Sequence, residues 1–404
     1  MPAAAPDATD RAAPPAPGSL TAALRRPGAA VRWARAAYGA PGRPGRPTTP
    51  EELRWLYTAW LGAFLLKMLG SSWDVSWHFR WLRDDLAPPH LLNTAGTAVV
   101  VALVVVHSHT GLGVDRRALR LMQWGTATFL VAVPVDIVNH RINGLDITSW
   151  SPSHALLYLG TAIMLAGAIR GWWLYAAPGR LRDLVHAGLW LFFVENVLFP
   201  NQHQEYGVLS LQAYEAGRTT AEPQLLDFAV AQGQTPTTFM LPVPDWVHPA
   251  WLLCAGVLSL VVARRVVGLR WTATTLAAAY LGYRGLMWLG LVGLDFPPSV
   301  LPLVLLVGAL GVDTAVTLRT PGWLAGPLVA AAVYGAGAVQ SALGLLPPWD
   351  WGRPAVLGTG VAFAALWAVV DAVAGSSWLA AWARPVEPGR GTPAGVTPEG
   401  APTR

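Results

Sequence analysis

About ten apolar runs of some 20 residues punctuate this chain, and no other feature limits its fold so severely. A run of that length crosses a hydrocarbon core of about 30 Å as an α-helix. The reading is therefore an all-α, polytopic transmembrane helical bundle, with spans expected at 54–73, 90–108, 119–138, 153–174, 181–199, 247–268, 271–293, 298–318, 323–345 and 355–380. With 53% hydrophobic residues and a mean hydropathy of +0.40, the lipid bilayer is the main solvent and first partner. Twenty-one tryptophans fit such a chain, because indole rings favour the membrane interface.

Outside the runs the composition changes. Residues 1–50 are Ala, Pro, Gly and Arg without the apolar core of a signal peptide, and they read as a disordered cytoplasmic tail. Residues 385–404 read as a second tail. Arginines sit in alternate loops: Arg116, Arg117 and Arg120; Arg180 and Arg182; Arg264, Arg265 and Arg270; Arg319; Arg384. By the positive-inside rule these loops and both termini are cytoplasmic, which implies the inner membrane of a bacterium. The scattered arginines give no nucleic-acid footprint. A single cysteine, Cys254, rules out a disulfide framework within one chain, and Lys67 is the only lysine.

The polar residues are not scattered. "WDVSWHFRWLRDDLAPPH", Trp73 to His90, lies between two spans on the outer side, and "VDIVNHRINGLDITSWSPSH", Val135 to His154, lies between the next two. Asp74, His78 and Asp84 recur 62 residues later as Asp136, His140 and Asp146, and His90 recurs 64 residues later as His154. "HLLNTAGTA" and "HALLYLGTA" follow. The pattern implies an internal duplication of a two-helix hairpin, so that 54–174 forms a four-helix unit and 175–384 holds the remaining helices with an outward insert at 200–246.

Asp and His four residues apart share one face of a helix, one turn apart. Pro88-Pro89 or Pro152 then starts the next helix, where proline is tolerated, and returns His90 or His154 to the same height. Two imidazoles and one carboxylate form a metal site with an open position. Asp84 and Asp146, in the turns, are placed to accept the second N–H of a ligating histidine. The competing reading is a hydrogen-bond network that only locks the hairpins together.

These motifs resemble the copper-ligand set of the membrane-bound C subunit of particulate methane and ammonia monooxygenases, an Asp-x3-His followed about a dozen residues later by His. That family carries a related Asn-x3-His…His set further along. Here the second set has Asp136 in the Asn position, and the resemblance covers about 80 residues. It implies copper and an oxidative role. On ligand type alone, zinc and non-haem iron suit the same donors.

Further candidates share the outer side. Glu195 and His203 belong to "ENVLFPNQHQEYG", a segment read as a lid over the hairpins or as a solvated loop, and His248 precedes Pro249 at a helix start. Arg284 lies mid-span and needs a partner or a wet cavity; Asp313 and Asp371 fall nearer the cytoplasmic end, so a direct pair is doubtful. His107, His109 and His186 read as interfacial. No nucleotide-binding or common hydrolase motif is present. Three function classes stay open: a metal oxidoreductase, alone or with other membrane subunits; a metal-ion or small-solute transporter with Arg284, Asp313 and Asp371 along its path; and a scaffold.

Overall fold

The computed structural model of the chain describes residues 38–82, 86–143 and 148–376, together with 31 and 34–36, and leaves the side chains of 140–143 outside that description. Among the described residues the structure is helical, with no β-strand. Each expected span overlaps a helix among the described residues. The helices are α1 (Pro50–His78), α2 (Pro88–Thr110), α3 (Arg116–Asn143), α4 (Pro152–Tyr175), α5 (Arg180–Glu215), α6 (Pro223–Ala231) and α7 (Pro236–Met240). After them come α8 (Val247–Val267), α9 (Thr272–Gly293), α10 (Val304–Thr317), α11 (Gly322–Ala342) and α12 (Arg353–Ala374). Six of these, α2, α3, α4, α8, α11 and α12, are long and apolar enough to cross a membrane. The protein is a helical membrane protein.

Local sequence sets the helix starts. Thr49 caps α1 in a reciprocal capping box with Glu52, with Pro50 in the first turn. Ser151 caps α4 by accepting the His154 N–H, and Pro152 follows. Each hairpin then closes on a glycine. A Cβ on Gly96 of α2 would stand 2.7 Å from the Ala63 carbonyl oxygen of α1, and one on Gly160 of α4 would stand 2.6 Å from the Phe129 nitrogen of α3. Only glycine admits backbones this close.

The structure departs from the sequence reading in three places. The stretch expected as the end of a tail is folded: the Gly42 N–H donates to the His109 carbonyl and the Gly45 N–H to that of Val114. Second, α5 does not stop at residue 199 but runs through Pro200 to Glu215, so much of the expected insert is helix. The helix persists there because protein, not solvent, surrounds it: Asn201 to Tyr206 are all buried. Residues 216–246 carry α6 and α7, which pack Leu225, Phe239 and Met240 over Val75 and Phe79 at the end of α1. Third, α10 begins at Val304 rather than 298, since Pro298 and Pro302 keep the preceding backbone out of a helix. That backbone is satisfied by neighbours: the Val300 N–H donates to the Glu205 carbonyl, and the Leu301 carbonyl accepts from Gln340. Irregular backbone at membrane depth survives only where protein supplies such partners.

Candidate metal centre

The last turns of α1 carry Asp74 and His78 on one face, and the chain reverses so that Pro88 and Pro89 open α2 with His90 next. His90 Nε2 lies 2.8 Å from Asp74 Oδ1, and His78 Nε2 lies 3.4 Å from the same oxygen. One donor atom from each residue falls within 4.8 Å of the others. Tetrahedral bonds of about 2.0–2.2 Å place donor atoms about 3.3 Å apart, so small side-chain shifts bring all three onto one ion. The Asp74 oxygen is buried between the two imidazoles. Two imidazole nitrogens and a carboxylate oxygen converging at this distance suit a common cation.

The second motif is assembled in a related way. Asp136 on α3 is buried and accepts from Ser153 Oγ at 2.8 Å, and His154 Nε2 stands 3.6 Å from its Oδ1. His154 Nδ1 is 2.8 Å from the Thr148 carbonyl. A carbonyl only accepts, so Nδ1 carries a proton and donates it there. The His140 side chain, Asp84 and Asp146 lie outside the described residues.

Both motifs line one cavity of about 510 Å³ between the two hairpins. Its walls include Phe64, Met68, Phe129, Val133, Leu157 and Phe192. Glu195 and His203 of α5 line it too, so both outer candidates stand beside the motif residues. They are held on a buried helix, not on a solvated loop. Glu195 Oε1 accepts from Ser72 Oγ at 3.4 Å and from Gln202 Nε2 at 3.2 Å. His203 Nε2 meets the Phe239 carbonyl at 3.2 Å, which commits that nitrogen to donating. The α6–α7 segment bearing Phe239 thereby holds His203 from the end of α1.

Sequence reading passed over Lys67. It is buried on the cavity wall two turns below Asp74, where its Nζ donates to Asn93 Oδ1 and Thr97 Oγ1, each at 3.0 Å. The same nitrogen lies 3.7 Å from the centroid of the Phe129 ring. The signal available was compositional: one lysine in a chain whose other cationic side chains are all arginine.

The remaining candidates form a separate buried centre. Arg284 on α9 pairs with Glu205 of α5 and donates to Tyr280 Oη and Ser299 Oγ. Neither Asp313 nor Asp371 takes part: Asp313 pairs with Arg264 at 3.1 Å, and Asp371 with Arg265 at 2.7 Å. His248 Nδ1 accepts from the Trp349 indole at 3.0 Å. An indole N–H only donates, so the His248 proton sits on Nε2, 3.6 Å from Glu205 Oε1. His107 is buried and accepts from the Trp60 indole, His186 is buried beside Trp190, and His109 reaches the Gly39 carbonyl. None of these meets the Asp74 cluster.

No protein-family model, curated protein or solved structure matches this chain. The Asp/His cluster is read on its own geometry.

Proposed function

We propose that this chain is a metalloprotein of a bacterial inner membrane, crossing it ten times with both termini inside. On this reading its first four helices are a duplicated hairpin that carries an outward-facing metal site. Asp74, His78 and His90 hold the ion in the first copy, with Asp136, His140 and His154 as the counterpart set. Copper is the metal inferred, and the chemistry is that of a membrane oxidoreductase of the monooxygenase type. Zinc and non-haem iron remain the alternatives on donor type. The observation that carries the reading is the convergence of three donors, with two imidazole nitrogens at 2.8 and 3.4 Å from the buried Asp74 oxygen and one donor atom of each residue within 4.8 Å of the others. A bound copper ion would supply redox chemistry and an open coordination position; the protein supplies position and surroundings. The apolar wall limits water, and Glu195 adds a carboxylate to the same cavity.

The helix crossings favour the duplication. Gly96 approaches Ala63 O and Lys67 N, and Gly160 approaches Gly125 O and Phe129 N. Ala63 to Gly125 and Lys67 to Phe129 are both 62 residues, while Gly96 to Gly160 is 64, the same two intervals that relate the Asp and second-His positions. An equal crossing register in two hairpins is what a copied unit retains. For the span count, the support is that α1, α5, α9 and α10 pack against the six apolar helices.

Copper loading followed by electron paramagnetic resonance tests the reading. Two nitrogen couplings are expected, with a shift of the signal when azide takes the open position. A spectrum insensitive to azide, or unchanged in His78→Gln, would count against it.

A further inference from the structure

Four lysine or arginine side chains are buried among the described residues: Lys67, Arg170, Arg264 and Arg284. Three have a carboxylate in contact, Asp115, Asp313 and Glu205 respectively. Among the described residues Lys67 has no carboxylate within 4 Å, and it is the one of the four that lines the cavity. Buried charges are ordinarily paired, because an uncompensated ion at low dielectric is expensive. The missing counter-charge therefore has a place to come from.

The surroundings of the ammonium are built. Thr97 donates its own hydroxyl to the Asn93 carbonyl, and Asn93 donates its amide to Ser71 Oγ, so each presents an oriented acceptor oxygen to Lys67. Gly96 leaves room for the stem: a Cβ there would lie 2.8 Å from Lys67 Cγ. Two N–H groups are thus fixed by the protein. The third lies on the side of the Phe129 ring and the cavity, where the ring face gives only a weak electrostatic partner. A carboxylate accepts that N–H and supplies the charge as well.

We propose that Lys67 anchors the carboxylate of a medium-chain amphipathic acid whose apolar body lies in the cavity. The chain length follows from the helix. Seven residues separate Lys67 from Asp74, about 10 Å at 1.5 Å per residue, so an acid bound head-down extends toward the Asp74 cluster with its far end. Phe64, Met68, Val133 and Leu157 contact that apolar body. The proposal concerns the floor of the cavity and stands whether or not a metal binds at its mouth.

The test is saturable binding of radiolabelled octanoate to the full chain in lipid nanodiscs, with empty nanodiscs as the partition blank. Octanoate should bind at least about tenfold more tightly than octanol, the value of one charge-assisted contact. Lys67→Met, similar in length and uncharged, should lose that preference while still binding octanol. Protein treated with a chelator should bind octanoate as wild type does, so a failed metal reading leaves this result unaffected. Equal affinity of the wild type for octanoate and octanol would overturn the proposal, as would undiminished octanoate preference in Lys67→Met.

Discussion

The Lys67 ammonium lies 3.7 Å from the centroid of the Phe129 ring, and the two residues are 62 apart, the interval that separates Asp74 from Asp136. Under the proposed duplication these are corresponding positions of the two hairpins, and both line the cavity that Asp74 and Asp136 also line. A cation over a ring contributes about 0.5–2 kcal/mol, more when desolvated. Phe129→Leu should lower the melting temperature measurably in detergent, and Phe129→Trp should retain stability. Equal melting temperatures for the Leu variant and the wild type would remove the contact from the account.

The hairpin crossings give a second expectation. Gly96→Ala and Gly160→Ala each place a methyl against backbone, and overpacking of this kind costs about 1–3 kcal/mol. Gly62, on the open face of α1, has nothing within 4 Å of an added Cβ. Gly62→Ala should therefore be neutral or slightly stabilising. Thermal denaturation of the three variants side by side separates the close crossings from helix propensity.

Glu205 and Arg284 are almost completely buried and paired. Removing one partner leaves a lone charge, so Glu205→Gln or Arg284→Met should destabilise by about 3–5 kcal/mol. The double variant Glu205→Leu with Arg284→Met should recover much of the loss. Protease resistance and thermal unfolding report both effects; additive losses would mean that the two side chains do not act as a pair.

The Asp74–His78–His90 cluster was legible because its logic is local: i to i+4 on one helix, then a proline-started return. The Arg284 partner was not. Glu205 lies 79 residues away and past Pro200, which reads as a helix end in sequence, whereas burial of Asn201 to Tyr206 lets α5 continue through it. The setting of Lys67 was equally hidden, since Asn93, Thr97 and Phe129 come from two other helices. Residues 42–49 read as tail by composition, yet Gly42 and Gly45 are fixed by backbone bonds to the end of α2 and the turn after it. Composition reports the absence of an apolar core and not the presence of a docking groove.

Topology is testable in intact cells. In a Cys254→Ser background, a cysteine at Leu86 should react with an impermeant reagent from outside, and one at Arg116 should not. Labelling of both from the same side would break the hairpin assignment.

The metal content of the purified protein tests the central claim most directly. Wild type purified in detergent should retain near-stoichiometric copper, or zinc or iron on the alternative readings, by elemental analysis. His78→Ala and His90→Ala should lose it, and lowering the pH should release it as protons compete for the imidazole lone pairs. Wild-type protein that carries none of the three metals, and gains no thermal stability when any of them is added, would contradict the account.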